Sequence, residues 1–419
     1  MHILFLTDNF PPEVNAPASR TFEHCREWVK AGHKVTVITT APNFPTGKVH
    51  TGYRNRLAAH ETMAGIEVVR VWTYITANEG FLRRSIDYAS FMVAAILAAP
   101  FVRKVDVVVA TSPQFFTTCA GAVVGFLKRA PFVFELRDLW PESIRAVGAL
   151  KNGFLLGALH RLEMALYRGA DAVVCVTNAF RENLMSRGID GDKIFVVTNG
   201  VDLARFEPRV RDEALAARHG LTGRFVAGYI GTHGMAHALG TVLDAAHNLQ
   251  ARPDAADVRF LFLGDGASKK ALQAKAEALK LTNVVFVGSV PKDAVPGYWS
   301  LLDVSVIHLK KDDLFTAVIP SKLFEGMAMG IPVLHGVAGE SAAIVEREGV
   351  GVAFEPENAE ALADAVLLLA GQPQLRADFR ARSLDAAPRY DRSVLAADML
   401  GVLEQTARAG RGARFKRGG

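Results

Sequence analysis

With 419 residues, half of them apolar and 22% charged, the chain is too long for a single hydrophobic core and too apolar for intrinsic disorder. Two globular domains of roughly 200 residues each are expected. The three cysteines, Cys25, Cys119 and Cys175, are widely spaced and odd in number, which argues against a disulfide scaffold and against a zinc-type spacing.

The net charge of +5 is unevenly spread: residues 1–200 carry 22 Lys and Arg against 17 Asp and Glu, residues 201–407 carry 21 against 26, and residues 408–419 carry 5 against none. A basic first half and tail suit an anionic acceptor or an anionic membrane surface, although an excess of this size is also ordinary solvated surface. The basic residues form no stripe interleaved with aromatics, so no nucleic acid partner is expected. The opening run, Ile3 to Leu6 followed by Thr7 and Asp8, lacks a cleavage pattern, and the chain reads as cytoplasmic.

Taken in order, short apolar runs alternate with helical stretches, the pattern of parallel α/β layering. Strands are predicted at residues 2–7, 34–39, 67–72, 106–111, 132–136, 172–176 and 194–197, with a first helix at 18–31. After the turn at Asn199-Gly200 and a polar stretch at 210–223, the pattern restarts with strands at 225–231, 259–263, 284–287, 304–308 and 332–335. The expected division is an N-terminal domain at 1–200, a C-terminal domain at 201–390, a last helix at 391–407 that packs back on the first domain, and a disordered basic tail at 408–419. In such doubly wound units, ligands sit beyond the carboxyl ends of the strands. Residues 86–102 stand apart. Their longest charge-free run is 15 residues, flanked by Arg83, Arg84, Arg103 and Lys104 and interrupted by Pro100, short of the roughly 20 needed to span a bilayer. A buried core helix and an interfacial helix gripping a membrane surface both remain open.

Residues 319–333 carry the most chemistry. Pro320 and Ser321 suit a helix start, and Gly330 followed by Pro332 suits its end. A helix start offers unpaired N–H groups and partial positive charge to a diphosphate. Lys322 and Glu325 share a face of that helix, so the lysine can neutralise a phosphate while the glutamate accepts hydrogen bonds from ribose hydroxyls. A solvated Lys–Glu pair is the plainer alternative. Gly264-Asp265-Gly266 links a strand to a helix, a turn where a nucleotide can lie against backbone, or simply a tight turn. His233 and His237, in the first turn of the second domain, are spaced as metal ligands can be, but no neighbouring carboxylate or cysteine completes a set, so no metal is expected. In the first domain, Arg137 and Asp138 end a strand; they are candidates to steady a phosphate and to orient or deprotonate a hydroxyl, or form a structural ion pair. Glu13 and Asn15 lie in the first strand-to-helix loop, where Glu13 is either an acceptor contact or solvated surface.

The motifs at residues 8–13, 42–47, 137–143, 199–202, 264–266 and 319–333, in this order and spacing, resemble those of retaining family 4 glycosyltransferases, in the branch that builds bacterial surface polysaccharides (colanic acid and N-acetylfucosamine transferase-like). The resemblance implies an α/β GT-B fold, two doubly wound Rossmann-like domains facing each other across a crevice. It also implies transfer of a sugar from a UDP-sugar, or next a GDP-sugar, to a polyprenyl-diphosphate-linked saccharide, with no cofactor and no metal, by a protein peripheral on the inner face of the cytoplasmic membrane. The family places Gly264 to Gly266 near the nucleobase and ribose and the loop at Gly288 near the base. Near Gly231 it often carries a basic pair, here replaced by His233 and His237, which leaves Lys322 and Lys310 or Lys311 to neutralise the diphosphate, helped by a protonated histidine. The first of two family glutamates is Ala317 here, with Asp312, Asp313 or backbone as substitutes, and the second matches Glu325. A histidine that contacts the donor sugar in relatives falls near Arg137 and Asp138. Two alternatives stay open: a UDP-N-acetylhexosamine epimerase on the same fold and a non-catalytic subunit.

Overall fold

The computed structural model describes residues 1–44, 46–76, 81–139 and 153–417. The chain divides into two compact units, one built from Met1–Asn199 with the C-terminal helix and the other from Gly200–Asp391.

In the first unit an eight-stranded sheet runs β3-β4-β2-β1-β5-β6-β7-β8. Its strands are β1 (His2–Leu6), β2 (Lys34–Thr40), β3 (Ala58–Met63), β4 (Ile66–Val71), β5 (Val107–Thr111), β6 (Phe132–Leu136), β7 (Ala172–Cys175) and β8 (Ile194–Val196). All pairings are parallel except that of β3 with β4. Strands β1, β5 and β6 are buried along their whole length, which is why their sequences read as unbroken apolar runs. Edge strand β3, absent from the sequence reading, has the composition AAHETM and alternates exposed with half-buried residues. Helices α1 (Ala16–Lys30), α2 (Phe81–Ala98), α3 (Phe115–Lys128), α4 (Gly153–Gly169) and α5 (Asn178–Ser186) accompany the strands.

The C-terminal helix, Arg392–Arg417, belongs to this unit. Its Leu395, Met399 and Leu403 join the core formed by Ile3, Phe5, Trp28 and Val109, each worth about 1.5–3 kcal/mol when buried, and Trp28 Nε1 donates to the Ala396 carbonyl at 2.8 Å. It continues through Arg417, so residues 408–417 are helical where a disordered tail was expected. Helix α2 resolves the question over residues 86–102 in a mixed way. Phe91 and Ala95 are fully buried, and so is Ala99 in the following turn, while Val93, Leu97 and Phe101, four apart, are 52%, 66% and 84% exposed. One face is core and another is an exposed apolar ridge.

The second unit holds six parallel strands in the order β11-β10-β9-β12-β13-β14, the dinucleotide-binding strand order. They are β9 (Phe225–Ile230), β10 (Val258–Leu263), β11 (Val284–Val287), β12 (Val304–His308), β13 (Val333–Gly336) and β14 (Gly351–Ala353). Helices α6 (Gly240–Gln250), α7 (Lys269–Ala278) and α8 (Ser321–Met329) follow β9, β10 and β12. In each unit the strand order reverses beside the first strand, β1 or β9, and the candidate sites lie in loops at the carboxyl ends of that strand and its neighbours.

Candidate functional site

In the second unit the site is built on α8. Pro320, extended at φ −63° and ψ 131°, caps it without a side-chain hydrogen bond, and Gly330 ends it in the left-handed conformation. No side chain of the cap residue therefore occupies the first-turn amides, of which Leu323 N already donates to Pro320 O at 3.1 Å. Lys322 lies across Gly231: a Cβ built on that glycine, whose φ is +140°, would come within 2.4 Å of Lys322 Cε and 2.8 Å of Nζ. The ammonium sits 4.9 Å from the centre of the Tyr229 ring, and the Tyr229 hydroxyl is pinned to the Thr232 carbonyl at 2.7 Å. Burial lowers the Lys322 pKa, and Glu325, one turn along the same helix face, opposes the shift.

Backbone lacing brings the neighbouring loops together. Gly231 N donates to Leu263 O at 2.8 Å, His233 N to Asp265 O at 2.8 Å, and Gly264 N to Val287 O at 3.2 Å. Gly264 has no room for a side chain, since a Cβ there would stand 2.0 Å from Gly231 O. Asp265 turns back to accept from Gly266 N at 2.8 Å. Lys269 donates to Gly264 O at 2.9 Å and lies 3.9 Å from Asp265 and beside Gly288. It is a second cation at the glycine-rich turns that the sequence reading missed; in sequence it is only the first residue of a helix. Gly231, His233, His237, Gly264, Asp265, Gly266, Gly288, Ser321, Lys322 and Glu325 thus converge at one end of one sheet.

Three details depart from expectation. His233 is fully buried, neither ring nitrogen has a hydrogen-bond partner among the described residues, and it packs against Tyr229, Phe262 and Phe286. Burial, then Lys269, lower its pKa. Burial, then Lys322, take His237 down to about 4. Both rings are therefore neutral near pH 7 rather than protonated, and each can offer one N–H. Lys311 is committed elsewhere, its Nζ 2.6 Å from Glu355, whereas the Lys310 amide ties its loop to Ala236 O at 2.9 Å. Asp312 accepts from Leu314 N at 2.9 Å as a turn cap. Among the described residues no group of three or more His, Cys, Asp or Glu side chains is arranged to hold a metal ion.

In the first unit, Glu13 and Asn15 line a cavity of about 230 Å³ together with Asp8, Asp87 and Gln114. Asn15 has a structural task, accepting from Ala18 N at 2.8 Å to cap α1 and donating to Asn9 Oδ1 at 2.8 Å. Glu13 Oε1 accepts from Asn43 N at 2.8 Å and Phe44 N at 2.9 Å. Arg137 and Asp138 lie at the end of β6, where both amides donate to Ser112 Oγ, at 2.7 and 3.2 Å. Nε and Nη1 of Arg137 are buried with no partner among the described residues. Burial, then repulsion from Arg20, lower its pKa to about 10, with Glu135 and Asp138 opposing; Glu135 itself is paired with Arg20 at 3.1 Å. The Asp138 side chain reaches solvent, yet the protein packed around it raises its pKa, with Arg137 opposing. The rest of that motif, residues 140–143, lies outside the described residues.

Residues 18–205 match the model of Glycosyltransferase Family 4, and residues 224–372 match that of Glycosyl transferases group 1. The chain belongs to the family 4 glycosyltransferases. Among curated relatives, WcaI of Escherichia coli K12, a glycosyl transferase assigned to colanic acid biosynthesis, is 25% identical over 400 residues, covering 92% of this chain and 97% of the relative. A GDP-mannose-dependent alpha-mannosyltransferase of Mycolicibacterium smegmatis is 24% identical over 355 residues, 81% of this chain and 80% of the relative. Among solved structures, Anabaena HepE in complex with UDP superposes with a TM-score of 0.72 at 18% identity, covering 97% of this chain and 100% of that one. That likeness gives this family 4 chain the GT-B fold.

Proposed function

We propose that this chain is a retaining glycosyltransferase of polysaccharide biosynthesis, transferring a sugar from a UDP-sugar, or next a GDP-sugar, to a polyprenyl-diphosphate-linked saccharide. The observation that carries this reading is the convergence of the α8 start, Lys322 and two glycine turns at the strand ends of the second unit. Open helix amides and a half-buried lysine are suited to a diphosphate. Lys322, Lys269 and the Ser321 end of α8 stabilise the charge that develops on the departing nucleotide. The sugar keeps its configuration as the acceptor oxygen attacks from the face the diphosphate leaves, and a diphosphate oxygen takes the proton. Glu325 holds the ribose hydroxyls. Neutral His233 and His237 each contribute a hydrogen bond and no charge. In the first unit, Arg137 and Asp138 orient sugar or acceptor groups.

A lipid-linked acceptor calls for attachment to the inner face of the cytoplasmic membrane, and the α2 ridge supports that. Val93, Leu97 and Phe101, with exposed Leu57 and Trp72, line an open groove of about 1270 Å³, with Arg103 and Lys104 next in sequence. Apolar side chains beside basic ones are the composition of an interfacial helix. No helix among the described residues is long and apolar enough to cross a membrane.

The test is nucleotide release from a panel of UDP- and GDP-sugars, with and without bacterial membrane lipid extract, beside Glu325→Ala. Lipid-dependent release from one donor, lost in the variant, is expected. Lipid-independent isomerisation of the sugar nucleotide would replace the transferase with an epimerase, and UDP binding without any turnover would point to a non-catalytic subunit.

A further inference from the structure

The cavity in the first unit has a chemistry opposite to that of the nucleotide cradle. It lies beyond β1 and β5, the topological position that the Gly231 turn and the start of α8 occupy beyond β9 and β12. Where the second unit gathers lysines and helix amides, this cavity gathers the carboxyl groups of Asp8, Glu13 and Asp87. The one guanidinium in its lining, Arg84, donates from Nη2 to the Tyr88 hydroxyl at 2.8 Å and offsets part of the charge on Asp8 and Asp87, leaving three carboxyls against one cation. The first turn of α1, which would otherwise draw an anion, has its Ala18 amide taken by Asn15.

One carboxylate oxygen is conspicuous. Glu13 is 4% exposed and lines the cavity; its Oε1 takes two backbone amides, while Oε2 is buried with no hydrogen-bond partner among the described residues. A buried carboxylate oxygen accepts and cannot donate, and leaving it unmet is costly. Asp8 Oδ2 has a long bond from Gln114 Nε2, 3.4 Å. Asp87 accepts the Thr76 amide. Glu13 Oε2 thus calls for an O–H or N–H donor, while burial, then repulsion from Asp87 and Glu13, raise the Asp8 pKa well above the usual carboxylate range. The volume of about 230 Å³ is below the ~300 Å³ at which pockets for whole drug-sized molecules begin, which suits one sugar ring.

We propose that this cavity is an acceptor-sugar subsite that takes a ring presenting hydroxyl or amino groups to Glu13, Asp8 and Asp87 and rejects a ring bearing a carboxylate or phosphate. The assignment rests on the transferase reading above, and it narrows the acceptor to neutral or amino sugars at its terminal position. Glu13 Oε2 receives a hydroxyl or amino proton, and Asp87 supplies the charge that a uronic acid would meet. Like charges brought together in a shielded site oppose binding, whereas an ammonium gains from them.

Saturation-transfer NMR of the full chain with methyl glucoside, methyl glucosaminide and methyl glucuronide, each titrated in the presence of UDP, tests this directly. The glucoside and glucosaminide are expected to bind at least about ten-fold more tightly than the glucuronide. Asp87→Asn should narrow the gap between glucosaminide and glucuronide. Glu13→Gln keeps an oxygen for the Asn43 and Phe44 amides but turns a donor into the cavity, and should weaken the two preferred sugars. Equal or tighter glucuronide binding, no sugar binding while UDP binds, or variants that leave the ranking unmoved would overturn the assignment. If UDP itself fails to bind in the same samples, the nucleotide-sugar reading falls with it.

Discussion

Replacing Lys322 by methionine is expected to separate ligand binding from stability. The side chain runs over Gly231 and ends 4.9 Å from the Tyr229 ring centre, and burial lowers its pKa. The unfolded chain therefore holds this proton more tightly than the native one. Native stability carries a penalty at neutral pH, which is relieved only as the pH rises from the folded pKa toward 10.5. Methionine fills similar space without the charge, so Tm near pH 7.5 should stay level or rise, and the alkaline gain in stability should disappear. Binding should move the other way. An ammonium about 4 Å from a phosphate gains roughly 4 kcal/mol at an effective dielectric of 20. Allowing for residual help from Lys269 and the helix amides, a loss of about 2–4 kcal/mol, or roughly 30- to 1000-fold in UDP affinity, is expected. Calorimetric titration with UDP beside thermal melts at pH 7.5 and 9.5 measures both. A variant that binds UDP as well as wild type, or that melts well below it, would refute the reasoning.

Other outcomes follow from the same geometry. Gly264→Ala puts a methyl 2.0 Å from Gly231 O at a φ of +141°; a positive-φ penalty of about 1–3 kcal/mol plus the clash should appear as a large fall in urea midpoint. Gly401→Ala, inside the C-terminal helix with nothing within 4 Å of the new methyl, should instead stabilise by about 0.5–1 kcal/mol. His237, at about 4 in the folded chain against about 6.5 unfolded, contributes stability that is present above pH 6.5 and lost as the pH falls toward 4. Urea midpoints at pH 7, 6, 5 and 4 should show a slope that His237→Gln reduces. If chain cations neutralise the diphosphate, lipid-dependent turnover should survive EDTA; loss restored by a divalent ion would contradict that.

Much of the fold was legible because the central strands are buried on both faces and read as apolar runs. Strands 132–136 and 304–308 match to the residue, and so does the half-buried edge strand 284–287, whose four residues are all Val or Phe. What escaped lies at the edges: β3, with one half-buried face and the sequence AAHETM, and β14, three residues long. The glycines and arginines after residue 407 suggested disorder by composition, yet the helix continues through them. At the nucleotide cradle, Ser321, Lys322 and the glycine turns were readable because a helix start and a tight turn have local signatures. Lys269 was not, because its role depends on α7 folding back over Gly264. The charge state of His233 and His237 depends on burial, which no spacing encodes. Asp87 was hidden in an apolar segment; a carboxylate within such a helix was the available signal, and its meaning needed Asp8 and Glu13 beside it.

The most direct test of the central claim is hydrogen exchange with and without UDP. Protection is expected to concentrate in residues 229–238, 263–268 and 319–326, with the protection at 319–326 reduced in Lys322→Met. Protection confined to the acidic cavity of the first unit, or none in these three segments at saturating UDP, would contradict it.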